Sequence, residues 1–535
     1  MSRTDIAAES GRVETRRPSG EDRISGMVGR RSARARRLGA LVVAAAAFLG
    51  PEPASLAREY IVGCDAYEMS REARAALAAR GGAVRQAWPE IGYSLVSGIE
   101  AADADALRGR YGILSISPNL TLEWIPERAA LGVFDAEGEP GDATFFEAFQ
   151  WNLRQTQADV AWGSTNRGAG ASVCVLDTGI DFRHVELTGR VDLARSRSFV
   201  EDEPVIEDLN GHGTLVAALI SSNSVNMASV APDAELVAVK VLDRSGSGSV
   251  ANVISGILYS AEVGCQVTNM SIGLVLERGQ EPEIEDALQQ AIDSAHEAGS
   301  LVVAAAGNDA LNMDELPGKD FIALPAMLDH VISVGATAPV AQQNFDALTT
   351  YTNFGRRGVD VMAPGGDLVI GGVTADLIFS ACSSFLCANT ASYLFARGTS
   401  FSSPHAAGAA AVAESQFPGM GSDFLDDCVT DGADRIRGRG NDPLYGRGRV
   451  NVLGAARCDD DEDSDSHDAR PGDDEDSDSH DARPGDDEDS DSHDARARDD
   501  EDSDSHDARA RRVSRTGKGS RENRDSRKQK RRRRR

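Results

Sequence analysis

The sequence of 535 residues is poor in three things, and each shortage narrows the field. It has little that could cross a membrane. A spanning helix needs ~20 apolar residues, and the run LGALVVAAAAFLG at 38–50 falls short. That run follows Arg30, Arg31, Arg34, Arg36 and Arg37 and precedes the small residues Ser55 and Ala57. Charge, then a short apolar core, then a small-residue site predicts an export signal cut after Ala57, with Met27 as an alternative start. Positive charge is also scarce. The net charge is -29, of which residues 459–535 carry about -8 and the first 57 about +4, leaving roughly -25 on residues 58–458. So acidic a body repels phosphates and argues against nucleic acid as a partner. Cysteines number only seven. Cys382 with Cys387 and Cys428 with Cys458 are plausible disulfides outside the cytosol. Cys174, in an apolar strand, and Cys265, just past a helix, read as buried free thiols.

What is present is concentrated in three short strings: VLDTGID, NGHGT and GTSFSSPH. They supply Asp177, His212 and Ser400 in that order. A hydroxyl, a base to take its proton and a carboxylate to orient the base are the minimum for nucleophilic attack on an amide. Each string alone is usually a glycine-flanked turn; the three together are not readily explained so. Asp181, four residues on, is the competing carboxylate, and the motif favours Asp177. The G-x-S-x-G turn of esterase-type hydrolases is missing, since Ser400 lies in Gly398-Thr399-Ser400-Phe401-Ser402. Ser400 is expected to open the helix SFSSPHAAGAAAVAESQF, whose N-terminal N–H groups face incoming negative charge.

With these strings the sequence resembles the subtilisin-like serine proteases, the subtilases, over about residues 145–457, and the order Asp, His, Ser is the one that family uses. The family's usual G-T-S-M-A-x-P-H is altered here to Phe401 and Ser402, which leaves the serine in place. The resemblance implies a serine endopeptidase acting on protein or peptide substrates as a monomer. It also implies that Asn308, in Ala304-Ala305-Ala306-Gly307-Asn308, stabilises the oxyanion with the backbone N–H of Ser400. It makes Ser245 and Gly246, on one side, and Ser271, Ile272 and Gly273, on the other, edges between which a peptide lies as an added strand. Ala305 and Gly307 join the wall of small or apolar residues. His405 is then packing rather than base. No cofactor is required for the chemistry and no metal ligand is assigned, although structural calcium is common in the family.

Short Val- and Ile-rich runs (ASVCV, ELVAVKVL, QVTNMSI, SLVVAAA, VISVGA) alternate with helical patterns (HGTLVAALI, SVANVISGILYSAEVG, EIEDALQQAIDSAHEAG). Strands apolar on both faces and joined by helices predict an α/β doubly wound parallel sheet with helices on both faces. Asp177 and Asn308 fall at strand carboxyl ends, where open α/β sheets hold ligands.

Five segments follow: a leader at 1–57, a small domain at 58–126, a polar linker at 127–144, the catalytic domain at 145–457 and a tail at 458–535. The small domain reads as β-α-β-β-α-β, with strands in REYIVGCD, YSLVSGIE, ILSISPN and LTLEWI. By resemblance it is a ferredoxin-like propeptide that inhibits its own enzyme until cleaved. In the tail, DDEDSDSHDAR recurs at 460–470, 473–483, 486–496 and 499–509, and the chain ends KQKRRRRR. Such a segment has almost nothing to bury and is expected to be a disordered spacer. Its carboxylates and His467, His480, His493 and His506 could attract cations loosely, without an EF-hand's turn glycine and terminal glutamate. The rival reading is a catalytically silent, peptide-binding relative with a cation-binding tail.

Overall fold

The structure, a computed structural model, describes residues 59–125, 130–136, 138–314, 320–438 and 440–458. The predicted leader and the repeat tail lie outside these residues.

The centre of the molecule is a mostly parallel sheet. From one edge its strands run Gln343–Leu348, Val331–Val340, Leu301–Ala305, Val267–Met270, Ser172–Asp177, Glu235–Lys240 and Arg197–Ser198. Val361–Pro364 also pairs parallel with Val331–Val340, and the strand Gln343–Leu348 runs antiparallel. The two-residue period of a strand divides its side chains between two cores. Val173 and Val175 face one core with the helices His212–Ile220 and Ser403–Gln416. Cys174 and Leu176 face the other with Val250–Glu262 and Pro282–Glu297. Helices therefore cover both faces, as the uniformly apolar strands require. The Ser403–Gln416 helix is buried almost all round, which explains its run of Ala and Gly: a Cβ on Gly408 would stand 2.6 Å from Val230.

The N-terminal domain is a four-stranded antiparallel sheet ordered Ala83–Trp88, Tyr93–Ser97, Glu59–Cys64, Ile113–Pro118, with helices Arg71–Ala78 and Ala101–Leu107. Tyr60, Val62, Leu77, Val96, Leu107 and Ile116 make its own core. The opposite face docks on the larger domain: Ile61, Trp88 and Tyr93 join the core beneath the helices Val250–Glu262 and Pro282–Glu297. Gln86 Nε2 and Trp88 Nε1 donate to Ser255 Oγ at 3.0 and 3.2 Å, and Tyr93 donates to Asp286.

Three expectations need correcting. LTLEWI does not complete the small domain's sheet; its Thr121–Glu123 strand pairs antiparallel with Ser247–Ser249 of the larger domain. Part of the segment read as linker is structured, since Ala130–Asp135 pairs with Ser392–Ala396, itself paired with Ile378–Cys382. Cys174 and Cys265 are joined in a disulfide rather than free, beside the bridges Cys382–Cys387 and Cys428–Cys458. Cys64 remains a thiol, and burial pushes its pKa up. Among the described residues no helix is long and apolar enough to cross a membrane.

Candidate active site

Asp177 is the last residue of its strand and is fully buried. Its Oδ1 accepts the N–H of Thr178 at 2.7 Å. His212 is the first residue of the next helix, and its Nδ1 stands 2.9 Å from both Asp177 oxygens. With Nδ1–H donated to the carboxylate, Nε2 is the nitrogen left to accept a proton. The approach of helix to strand depends on glycine. A Cβ on Gly213 would lie 2.1 Å from the Gly179 carbonyl oxygen, and Gly211 has φ 105°.

A residue not singled out in the sequence holds this helix in place. Asp208 Oδ1 accepts from Thr178 Oγ1, Asn210 N and Gly211 N at 2.8, 3.0 and 2.7 Å. Its Oδ2 accepts from Thr214 N and Oγ1 at 2.9 and 2.6 Å. It thereby satisfies orphan donors at the helix start. An acid four residues before the histidine of NGHGT was the available signal. Asp181 is placed elsewhere: its Oδ2 accepts from Ser384 N and Oγ at 2.8 and 2.5 Å.

Ser400 lies in a 3-10 turn, Thr399–Phe401, that precedes the long helix rather than opening it. The Phe401 ring is 5.7 Å, centroid to centroid, from the His212 imidazole. Asn308 follows the Leu301–Ala305 strand, and its Oδ1 accepts from Thr399 N and Oγ1 at 2.9 and 3.0 Å. That commits the acceptor end of the amide, and Asn308 and Ser400 line the same pocket. Asn353, also unforeseen, shapes this loop: its Nδ2 donates to Ala306 O at 2.9 Å and its Oδ1 accepts from Asp309 N and Leu311 N at 3.1 Å each. His405 sits between Phe401 O and Asn152 Nδ2, each at 2.8 Å, and burial lowers its pKa to about 4, so it is a neutral core residue.

The pocket beside Ser400 is lined by Ile272, Gly273, Ala305 and Gly307 of the expected set. Leu274, Val275, Ala323 and Leu324, from two paired strands the motifs did not point to, make it more apolar still. Ser245 and Ser271 are not part of this lining. Ser245 Oγ donates to Asp243 at 2.6 Å, and Ser271 Oγ accepts from Asn269 at 3.0 Å. Gly246 is in the cleft: its carbonyl accepts the N–H of Trp124 at 3.2 Å, while Gly273 N donates to Trp124 O at 3.0 Å. Trp124 is fully buried, with Nε1 donating to Gly248 O at 2.9 Å. A stretch of this chain's own backbone thus lies in the cleft, hydrogen-bonded to both rims.

Among the described residues, the one group of three converging His, Cys, Asp or Glu side chains contains two imidazoles, which suit an oxygen-seeking cation such as calcium poorly.

Comparison with known proteins identifies the family. A sequence profile of the subtilase family matches residues 168–448. A thermophilic serine proteinase of Bacillus sp. strain AK1 is 34% identical over 318 residues, 59% of this chain and 69% of that one. Subtilisin Savinase of Lederbergia lenta is 34% identical over 313 residues, 58% of this chain and all of that one (100%). A crystal structure of the epidermin leader peptide processing serine protease of Staphylococcus aureus has the same fold, with TM-score 0.61 at 21% identity over 75% of this chain and 98% of that one. Taken with the doubly wound sheet and the motif strings, these matches place the chain in the subtilase family of serine proteases.

Proposed function

We propose that this protein is a secreted serine endopeptidase, made as a pre-pro-enzyme and held inactive by its own N-terminal domain. In this reading His212 Nε2 takes the proton of Ser400 as the hydroxyl oxygen adds to a peptide carbonyl. Asp177 keeps the imidazole in the right tautomer and favours the imidazolium. The developing oxyanion receives the Asn308 side-chain amide and the Ser400 backbone N–H. The intermediate collapses to an acyl-enzyme as His212 returns the proton to the leaving amine, and water then releases the acid. No cofactor takes part.

The observation that carries the reading is the strand Thr121–Glu123 with Trp124, seated between Gly246–Gly248 and Gly273 beside Ser400. A cleft that binds extended backbone from both sides is suited to polypeptide substrates. The same seating supports the inhibitor role, because substrate and segment need the same hydrogen bonds. Maturation then requires a cut between Ile125 and Ala130. The apolar pocket favours apolar residues before the scissile bond. Export is supported by the leader pattern and by three disulfides, which persist in oxidising compartments. The processed enzyme acts as a monomer, and the acidic tail is a spacer rather than part of the chemistry.

A serine-directed fluorophosphonate tests the proposal. Expected is a single adduct on Ser400 in the processed protein, with loss of peptidase activity. A processed protein that takes up no label and cuts no peptide is instead the silent, peptide-binding relative.

A further inference from the structure

Parallel α/β units put helix C-termini at the amino edge of the sheet, opposite the carboxyl edge that carries Asp177 and Asn308. At that amino edge three elements meet. His296 is in the last turn of the Pro282–Glu297 helix, which leads to the strand Leu301–Ala305. His330 is in the turn just before Val331–Val340, with φ 63°. Asp423 is in the first turn of Ser422–Asp431. One ligand atom from each of the three lies within 4.8 Å of the others. The two imidazoles stack with centroids 3.9 Å apart, and His296 Nε2 is 2.7 Å from Asp423 Oδ1. Asp293, one turn before His296, has Oδ1 4.0 Å from His330 Nε2.

We propose that His296, His330 and Asp423 form a binding site for a divalent transition metal, zinc in the first instance, which staples these three elements together. Two imidazoles and a carboxylate match zinc's preference for nitrogen with one or two oxygens, and water or Asp293 completes four ligands. Tetrahedral bonds of ~2.1 Å place ligand atoms ~3.4 Å apart, so the two imidazoles turn out of their stack to aim one nitrogen each at the ion. The backbone around the site is held by contacts that do not use the ligating atoms of His296, His330 or Asp423. Gln289 Oε1 accepts from Asp329 N at 2.9 Å and its Nε2 donates to Asp329 O at 3.2 Å; Ser422 Oγ donates to His296 O at 3.1 Å. Exposure of the side chains, 20% for His296, 44% for His330 and 85% for Asp423, gives an ion direct entry from solvent. Standing at the edge opposite Ser400's partners, the site serves stability rather than turnover.

The test uses the full chain carrying Ser400→Ala, which prevents self-digestion, melted with and without Zn2+. Binding to the folded state alone raises Tm, by about 3 °C at a hundredfold excess over Kd. The repeat histidines of the tail can hold metal too, so the comparison is made with site variants that leave those histidines intact. Adding His330→Ala, or Asp423→Asn at a largely exposed position, is expected to remove most of the shift. Co2+ should show tetrahedral visible absorption in the intact site that either variant loses. No rise with Zn2+, or an equal rise in both variants, overturns the proposal; an ordinary surface ion pair gives that result.

Discussion

Asp208 accepts both the backbone N–H and the hydroxyl of Thr214, at 2.9 and 2.6 Å, two residues beyond His212. The imidazole's position is therefore set by a carboxylate that does not touch it. Replacing Asp208 with Ala orphans five donor contacts at a fully buried site. Expected is a loss of at least about 3 kcal/mol of stability, with kcat falling while any residual KM stays similar. Asp208→Asn, which keeps one acceptor oxygen, should fall between. Thermal melts and peptide kinetics check this, and a wild-type Tm for the Ala variant would refute it.

Asn308→Leu removes the side-chain donor together with the oxygen that accepts from Thr399 N and Oγ1. A fall in kcat of about 10²–10³ is expected with little change in KM, the magnitude seen for subtilisin's own oxyanion asparagine. A variant whose loss lies wholly in KM would make Asn308 a substrate-binding residue instead.

The three disulfides close loops of very different length, with sequence separations of 91, 30 and 5. Chain entropy then ranks their contributions as roughly 4–5, 3–4 and 2 kcal/mol. Paired Cys→Ser variants, melted in the Ser400→Ala background, should follow that order, with Cys174/Cys265 the most damaging. The reverse order would mean that native-state strain outweighs loop closure.

Asp426 is pushed up to about 7, first by burial, then by Asp360 and Asp427, against the lowering effect of Arg447 and with a smaller push from Asp423. Its ordinary value is 3.8, so between about pH 4 and 7 the folded chain holds a proton that the unfolded chain has shed. Stability from this group is unaffected below pH 4, declines as pH rises to 7 and is level above. Asp426→Asn should therefore raise Tm by ~2–4 °C at pH 8 and leave it unchanged at pH 4. Equal gains at both pH values would argue against the titration.

Trp124→Ala removes the buried anchor of the cleft segment and its bond to Gly248 O. After refolding, activity should appear with a shorter lag than in the wild type, because the segment leaves sooner. An unchanged lag would show that docking through Tyr93 and Trp88 sets the release rate.

Local pattern made much of this molecule readable. The apolar runs at 171–175, 235–242, 266–272, 300–306 and 331–336 are the sheet because their side chains are buried on both faces. Ala83–Trp88 escaped notice because it is mostly exposed, with only Trp88 buried. Pairings across long separations were the other gap. Nothing near Cys174 in the chain announces Cys265, and nothing in Leu120–Ile125 says that its partner is Ser247–Ser249. At the site, the strings named Asp177, His212 and Ser400 and the family resemblance pointed to Asn308, whereas Asp208 and Asn353 act largely through backbone groups of neighbouring segments.

Residues 121–123 and 130–135 belong to different sheets, the first paired with 247–249 and the second with 392–396. Sever the polypeptide between them and neither new end is free to drift back to the other. In the proposed maturation each new end would stay knitted into its own ladder, so that the N-terminal product could leave the cleft only by unpicking the strand it shares with 247–249.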